Sequence, residues 1–314
     1  MNTQDDCLLT FIIPFYNCTG YLERLLQSIP VRSQFQVVAI DDRSDDPYEV
    51  ESLAVLQHAY AGRVTFLTND RASKGPGTCR NIGLDAARGR FVVFADADDF
   101  LVPGCGSILD RYLQSDADIV YFMPESRDEN GIPSDRNMKS CRKIMNYLEE
   151  PDKEHLMQLK ISPDNPVWSK LIRRSLLTQH QIHFEDCMHA EDCMFMAQAG
   201  MHARGIEVSR ERIYCVCSRK GSVSSDTGLS SFNEEFEMYV RICRYLMDRI
   251  SPDDARMLHL TGAGKMARAI RRGYGMKEYL FILKTLRTAG IPLLHLNTIN
   301  PVYLLRTLRK GNLQ

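Results

Sequence analysis

Apolar runs alternate with amphipathic segments along the first hundred residues. Four apolar runs have the composition of strands that are buried on both faces, and they lie at residues 8–16, 35–42, 63–70 and 90–99. The three segments between them have helical spacing, and in the first of these one side of the helix carries Leu22, Leu25, Leu26 and Ile29. Strands that alternate with short helices predict a parallel sheet covered by helices, with a ligand site at the carboxyl ends of the strands.

Polar side chains follow these strands where each strand is expected to end. They are Asn17, Asp41, Asp42, Asp70 and the acids of residues 96–99. Because the carboxyl ends of parallel strands meet at one edge of a sheet, we expect these groups to lie along one edge. No GxGxxG follows the first strand and no GxxxxGK[ST] occurs in the chain, so the usual dinucleotide and P-loop sites are not indicated.

The acids of the fourth strand indicate a cation. Burial of an unpaired carboxylate is costly, so acids at the end of an apolar strand require a partner or a solvated turn. If the segment is extended, Asp96 and Asp98 point to the same side, while Asp99 faces elsewhere and holds the turn. Carboxylate pairs suit Mg²⁺ or Mn²⁺, which substrate phosphates commonly complete, so this D-x-D predicts a nucleoside diphosphate. A group of solvated acids is the alternative.

Composition and charge place the chain in a cellular context. The 314 residues are 44% apolar and 25% charged, which is enough for one catalytic domain with an appendage. The start has acids instead of a basic region, no apolar run reaches about 18 residues, and ten cysteines occur without a CxxC pair. We therefore expect a cytoplasmic protein with reduced thiols, and no nucleic-acid partner. The stretch that most resembles a linker is residues 124–140.

The carboxyl-terminal part of the chain is basic. Residues 256–314 contain eleven Lys or Arg and one acid, a charge of +10 against −11 for the first 255 residues. Apolar residues recur there at helical spacing, and they are Met266, Ala269, Ile270, Tyr279, Ile282, Leu283 and Leu286. Two interpretations remain open, a packed helical cap with solvated charges or a helix that lies on an anionic membrane surface.

Six segments, in this order and at these spacings, resemble the family 2 glycosyltransferases of the GT-A fold, of the kind that build bacterial surface and capsular polysaccharides. They are "TFIIPFYNCTGYLERLLQSI", "QVVAIDDRSDD", "GPGTCRNIGLDAARGRFVVFADADDFLVPG", "NPVWSKLIRRSLLTQHQIHFED", "HAEDCMFMAQA" and "IYCVCSRKGSVSS". The resemblance implies an α/β, Rossmann-like domain at 1–226, with a nucleotide-binding half at 1–105 and an acceptor-binding half at 106–226. A basic helical region would follow at 227–314.

The resemblance also assigns roles to residues. The nucleotide sugar would contact Pro14, Tyr16, Asn17, Asp41, Asp42, Arg80, Asp96, Ala97, Asp98 and Arg219. Asp42 is the preferred contact to base and ribose, Asp98 with Asp96 would hold the metal, and Arg80 would meet the phosphates or hold Asp96. Asp192 would be the general base, and the acceptor would contact Trp168, Lys170, Glu191 and Ser222. Arg219, Ser222 and Ser224 would close over the substrates.

The resemblance implies a metal-dependent, inverting transfer from a nucleotide sugar, with a UDP-sugar as the expected donor, to a lipid-linked or oligosaccharide acceptor. The cofactor would be Mn²⁺ or Mg²⁺. A lipid-linked acceptor suits a peripheral position on the inner face of the membrane, and a homo-oligomer is left open. The alternatives are a sugar nucleotidyltransferase, whose Gly-rich phosphate loop is absent near the first strand, and a catalytically inactive glycan-binding assembly subunit.

Several residues depart from the family pattern or have a second interpretation. Arg43 stands where the family usually has Gly, and Cys79 stands where a small residue is common. Trp168 and Lys170 could instead close a corner of the core with a lysine that reaches water. Glu185 and Asp186 form an alternative acid pair. A zinc site could be formed by His183, Cys187, His189 and Cys193, but their spacing fits none of the usual zinc-ligand pairings.

Overall fold

The computed structural model describes residues 7–188, 190–218 and 228–294, in which ten strands and twelve helices lie. The strands are β1 (Leu9–Phe15), β2 (Phe35–Asp41), β3 (Val64–Thr68), β4 (Phe91–Phe94), β5 (Phe100–Leu101), β6 (Ile119–Phe122), β7 (Glu125–Arg127), β8 (Lys170–Arg173), β9 (Ile206–Ser209) and β10 (Tyr214–Cys217). The helices are α1 (Thr19–Ser28), α2 (Pro47–Ala59), α3 (Pro76–Ala86), α4 (Cys105–Tyr112), α5 (Met138–Glu149), α6 (Lys153–Ile161), α7 (Arg174–Gln179), α8 (Glu191–His202), α9 (Leu229–Met247), α10 (Pro252–Met257), α11 (Ala263–Arg271) and α12 (Met276–Thr288).

The chain divides into two compact units, Met1–Ser231 and Phe232–Gln314. The predicted domain boundary after residue 226 lies in residues 219–227, outside the described residues, and it stays a prediction. The ten cysteines all lie in the described residues and all are free thiols.

A seven-stranded sheet forms the centre of the first unit, with the strand order β3-β2-β1-β4-β8-β6-β9. The pairs β3-β2, β2-β1, β1-β4 and β6-β9 are parallel, and only β8 runs antiparallel to its two neighbours β4 and β6. The predicted mostly parallel α/β sheet is therefore confirmed. The sequence did not predict the antiparallel β8, because its short apolar run follows a stretch without clear periodicity.

Alternate residues of the central strands fill two separate cores. Phe11 and Ile13 of β1 pack in the layer that contains α1, α2 and α4, while Ile12 packs in the layer that contains α3, α7 and α8. This two-sided burial explains why β1 is apolar at every position except Thr10, whose hydroxyl donates to Gln36 at 2.8 Å.

A second, three-stranded sheet has the order β5-β10-β7. Its strand β7 lies inside residues 124–140, so the prediction that this stretch is a linker is wrong. The polar sequence there is compatible with a strand because β7 is only three residues long and pairs on one side with β10. In the small sheet β10 pairs with β5, the strand that directly follows the acids after β4.

The second unit is helical. Ala269, Ile282 and Leu286 are buried, but Ile270 and Leu283, which the helical spacing placed with them, are exposed. The spacing predicted a wider apolar face than α11 and α12 bury. Tyr239 donates to the Thr261 carbonyl at 2.7 Å, and Arg268 forms an ion pair with Glu235. Among the described residues, no helix is both long enough and apolar enough to cross a membrane.

Gly83 provides a test of the packing between α3 and the sheet. A Cβ at Gly83 would lie 2.3 Å from Ile12 Cγ2 and 3.0 Å from Ile40 Cδ1, so we expect Gly83→Ala to lower the free energy of unfolding by about 1–3 kcal/mol. Gly20→Ala in α1 is the matched control, because a Cβ there meets nothing within 4 Å and should stabilise the helix slightly. Urea denaturation of both variants measures the difference, and equal effects would contradict the close contact.

Candidate functional site

Asp41, the last residue of β2, and Asp42, which follows it, hold the adjacent loops by hydrogen bonds. Asp41 Oδ1 accepts from the backbone N–H and the hydroxyl of Ser44, at 2.9 and 2.6 Å. Asp42 Oδ1 accepts from Asn69 at 2.6 Å, and its Oδ2 accepts from the Gly75 N–H at 2.7 Å. Asp42 thus connects β2 to the loop that precedes α3. Both acids are buried, and their predicted contact with a nucleoside stays a prediction.

The end of β1 presents an aromatic ring beside β2. Tyr16 is 43% exposed and donates to Asp45 Oδ1 at 2.8 Å, the same atom that accepts from the Asn17 side chain at 2.8 Å. The Lys74 Nζ lies 4.6 Å from the centre of the Tyr16 ring. Pro14 is buried in β1 at a position where only β2 pairs with the strand, so its missing N–H costs no bond to β4.

The acids that follow β4 lie in a turn, because β4 ends at Phe94 and the Asp99 N–H donates to the Asp96 carbonyl at 3.0 Å. The prediction that Asp96 and Asp98 share the side of an extended segment is therefore wrong in its geometry. Both acids nevertheless belong to one four-residue turn, and the Asp98 carbonyl accepts from Arg24. Ala97 between them is buried.

Asp99 holds this turn from inside. It is buried and accepts from the Tyr214 hydroxyl at 2.7 Å and from the Cys217 N–H at 2.7 Å. Burial, together with the negative charges of Asp96 and Asp98, raises the pKa of Asp99 well above its usual value. The predicted role of Asp99 in holding the turn agrees with these contacts.

Arg80 joins the turn to the start of α8. Its guanidinium donates to Asp96 Oδ1 at 2.6 Å and also to Glu191 Oε1, and the residue is 4% exposed. Burial alone would lower the pKa of Arg80, but Asp96 and Glu191 together raise it above its usual value. Of the two predicted roles for Arg80, a contact with phosphate and a contact with Asp96, the structure contains the second.

The acid pair of α8 begins that helix after a strained residue. Ala190 has a φ of 60°, a left-handed conformation. Gly77 lets α3 lie close to the segment before α8, because a Cβ at Gly77 would be 2.5 Å from the Glu185 carbonyl oxygen. Glu191 is buried against Arg80, and burial raises its pKa to about 7 although Arg80 opposes the shift. Asp192 is more accessible than Glu191, and its Oδ2 accepts from the Val167 N–H at 3.3 Å.

Burial also raises the pKa of Asp192, and the charge of Arg80 opposes that shift. Among the described residues Asp192 forms no ion pair of its own, and a carboxylate with a raised pKa and no such pair suits a general base. The alternative acid pair is less suited, because Asp186 accepts from the Thr78 hydroxyl at 2.9 Å and lies before the helix.

Trp168 and Lys170 follow Val167, whose backbone N–H contacts Asp192. The Lys170 ammonium is buried and donates to the carbonyls of Pro166 and Trp168, at 2.5 and 3.3 Å, so it does not reach water as the core-corner interpretation required. Burial and the charge of Lys143 lower the pKa of Lys170 to about 7. Lys170 thereby holds the segment whose Val167 N–H contacts Asp192.

The Trp168 ring lies parallel to the ring of Tyr214, with the centroids 6.2 Å apart. Tyr214, which the sequence interpretation missed, also accepts from the Asp96 N–H at 2.8 Å. Its only signal in the sequence was an aromatic residue in a short apolar run. Arg219, Ser222 and Ser224 lie outside the described residues, as does His189.

The residues of the turn fit a divalent cation. Asp96 keeps a third of its side-chain surface exposed and offers a second carboxylate oxygen beside the one that Arg80 contacts, and Asp98 is partly exposed in the same turn. Asp99 is excluded as a ligand, because its two oxygens are occupied inside the protein. Two carboxylates are typical of sites in which Mg²⁺ or Mn²⁺ also binds phosphate oxygens.

The zinc interpretation finds no support in the described residues. The only group of three metal-binding side chains close enough to share an ion there is Glu150, Asp152 and His155, which lies on the surface around the start of α6. The side chains of His183, Cys187 and Cys193 are not close enough to one another to share a metal ion.

Comparison with known proteins places this geometry in a family. Residues 10–180, more than half of the chain, match the model described as glycosyl transferase family 2. TarS of Staphylococcus aureus, a poly(ribitol-phosphate) beta-N-acetylglucosaminyltransferase, is 26% identical over 67% of this chain, and EpsH of Bacillus subtilis, a glycosyltransferase by its name, is 26% identical over 66%. The chain spans 35% of the length of TarS and 59% of that of EpsH.

Solved structures give the fold. A structure of TarS 1-349 with UDP-GlcNAc superimposes with a TM-score of 0.69 at 22% identity, over 90% of this chain and 80% of that one. The mannosyltransferase PcManGT of Pyrobaculum calidifontis, solved with GDP-Man and Mn²⁺, gives a TM-score of 0.57 at 16% identity, over 99% of this chain and 86% of that one. The expected fold and family are confirmed: this chain belongs to the family 2 glycosyltransferases and has their GT-A fold.

Proposed function

We propose that this protein transfers a sugar, with inversion, from a nucleotide sugar to a lipid-linked or oligosaccharide acceptor in surface polysaccharide synthesis. A UDP-sugar is the expected donor, and the transfer depends on Mn²⁺ or Mg²⁺. The observation that carries the proposal is the contact of Arg80 with both Asp96 and Glu191, because it brings the D-x-D turn to the acid pair of α8. The solved structures of TarS with UDP-GlcNAc and of PcManGT with GDP-Man support a nucleotide-sugar donor.

The residues divide the reaction between them. A divalent cation held by Asp98 and Asp96 would neutralise the charge that develops on the leaving diphosphate. Asp192 takes the proton of the acceptor hydroxyl as that oxygen attacks the anomeric carbon from the face opposite the diphosphate. The new glycosidic bond forms as the bond to the diphosphate oxygen breaks, which inverts the configuration. The Val167 N–H orients the Asp192 carboxylate for this step.

Two alternatives predict different behaviour in a simple assay. A sugar nucleotidyltransferase would consume a sugar phosphate and a nucleoside triphosphate, and an inactive assembly subunit would bind glycan without turnover. The raised pKa of Asp192 beside a turn suited to a cation favours catalysis, because a subunit that only binds glycan has no need of either feature. Slow hydrolysis of a nucleotide sugar in the presence of Mn²⁺ distinguishes the transferase from both alternatives.

The second unit supports a peripheral position on an anionic membrane. Residues 263–288 contain seven Lys or Arg and one acid. On α12 the apolar side chains of Met276, Leu280 and Leu283 are exposed, with Lys284 and Arg287 beside them. Exposed apolar groups among cations are typical of helices that lie in the headgroup region, where a lipid-linked acceptor would be found.

Asp98→Asn tests the cation site. The neutral amide holds a hard cation less well than the carboxylate does, so we expect Mn²⁺-dependent binding of UDP to weaken by about tenfold or more. Asp116→Asn is the matched control, because its side chain is fully exposed beside Arg90. Isothermal titration with and without Mn²⁺ measures the effect, and undiminished nucleotide affinity and turnover in Asp98→Asn would refute the metal assignment.

Asp192→Asn separates binding from chemistry. Donor affinity should stay within about threefold of the wild type, while turnover falls by about 100-fold or more, the usual effect of losing a general base. Asp186→Asn, in the alternative acid pair, should keep most of the activity. Single-turnover kinetics measure the chemical step. A fully active Asp192→Asn beside an inactive, folded Glu191→Gln would reverse the roles assigned to the two acids.

The basic helices are tested with vesicles. We expect the full chain to co-sediment with anionic but not with neutral vesicles, and salt to release it, because the attraction is screened. Lys284→Glu combined with Arg287→Glu should abolish co-sedimentation, as should deletion of residues 256–314. Arg88→Glu combined with Arg210→Glu is the matched control and should bind normally. Equal binding to both vesicle types would leave α12 as a packed cap only.

A further inference from the structure

Arg43 is half-buried at the edge of the sheet where the donor is proposed to bind. Its Nε is buried without a hydrogen-bond partner, and within the described residues no hydrogen bond or ion pair involves its side chain. The backbone of Arg43 has a φ of 62°, a left-handed conformation that favours glycine. A buried N–H without a partner and a left-handed backbone at a residue other than glycine are both unfavourable for the protein alone, which indicates a ligand that accepts a hydrogen bond from Arg43.

We propose that Arg43 reads the base of the nucleotide and selects a base with a keto group, uracil or guanine, over one with an amino group, cytosine or adenine. This inference rests on the proposed function. A guanidinium has only hydrogen-bond donors, so its partner must be an acceptor. The keto oxygens of uracil and guanine are acceptors, whereas the amino groups that cytosine and adenine carry at the corresponding positions are donors.

The strand order places Arg43 on the base side of the donor. Arg43 follows the end of β2, and the turn of Asp96 and Asp98 follows β4, with β1 between these two strands. Neighbouring strands lie about 4.8 Å apart, so the ends of β2 and β4 are about 10 Å apart. If Asp96 and Asp98 bind the diphosphate through a cation, the nucleoside extends from there toward β2, and Arg43 meets the base rather than the phosphates.

An aromatic surface lies beside Arg43. The Lys74 Nζ donates to the Arg43 carbonyl at 3.4 Å and lies over the ring of Tyr16, which is the exposed ring at the end of β1. A ring that contacts the face of a base, together with donors at its edge, is a common arrangement in nucleotide recognition. Both carboxylate oxygens of Asp42 accept hydrogen bonds from Asn69 and Gly75, and Asp41 Oδ1 accepts from Ser44, whereas the Arg43 side chain donates no hydrogen bond to any described residue.

Arg43→Gly is an informative variant because glycine suits the left-handed backbone, so the variant should fold with an equal or higher melting temperature. We expect the wild type, with Mn²⁺, to bind UDP about tenfold or more tightly than CDP, or GDP more tightly than ADP if the site takes purines. In Arg43→Gly this ratio should fall to about threefold or less, while the affinity for inorganic pyrophosphate, which has no base, should not change.

Two control variants separate hydrogen-bond geometry from charge. Arg43→Lys keeps the charge without the planar pair of donors, so the ratio of UDP to CDP affinity should fall although pyrophosphate binds normally. Arg88→Ala removes one charge from the opposite edge of the sheet, before β4, and should leave the ratio unchanged. Isothermal titration of the full chain with each nucleoside diphosphate measures these affinities.

The outcomes distinguish this inference from the proposed function. An unchanged ratio in Arg43→Gly overturns the inference, and so does an equal loss of affinity for every nucleotide and for pyrophosphate, which would assign Arg43 to the phosphates. If the wild type binds no nucleoside diphosphate with Mn²⁺ or Mg²⁺, the proposed function itself fails. A wild type that binds UDP and CDP equally overturns the inference about Arg43 and leaves the proposed transferase intact.

Discussion

The buried guanidinium of Arg80 connects the parts of this site. A buried arginine is costly unless anions surround it, and Asp96 and Glu191 provide two. Each acid comes from a different element, the turn after β4 and the first turn of α8, so neither element can move away without leaving a buried charge unpaired. Removal of Arg80 would leave the carboxylates of Asp96 and Glu191 near each other without a cation between them. The ion pairs of Arg80, a residue of α3, therefore fix the positions of the turn after β4 and of α8 relative to α3.

The turn of the D-x-D acids is held from a second side by the small sheet. Tyr214 of β10 accepts from the Asp96 N–H and donates to Asp99, and the Cys217 N–H also donates to Asp99. Arg80 therefore fixes the Asp96 side chain, while β10 fixes the backbone of the turn. A turn held in this way would need little reorganisation to bind the proposed cation and diphosphate, which is the condition for effective electrostatic stabilisation.

The sequence predicted the parts of the fold whose signal is local. The apolar runs of β1 to β4 and the helices between them follow from periodicity, and the acids after β2 and β4 follow from the position of strand ends. The antiparallel β8 and the three-residue β7 could not be predicted, because their pairing is decided by contacts with strands far away in the chain. The contact of Arg80 with Glu191 joins residues 111 positions apart, and no local pattern specifies it.

Four of the six non-glycine residues with positive φ in the described part of the chain lie beside residues with a proposed role. Asn17, Arg43, Ser169 and Ala190 have positive φ values of 46°, 62°, 58° and 60° although none is glycine, and each is next to a residue with a proposed role. Such conformations are unfavourable by about 1 kcal/mol or more each and persist when neighbouring contacts determine them. Ala190 turns the chain directly before Glu191, and Ser169 lies between Trp168 and Lys170. The packing of the two buried cores thus offsets the unfavourable backbone conformations, which place the side chains of the site where a relaxed backbone would not.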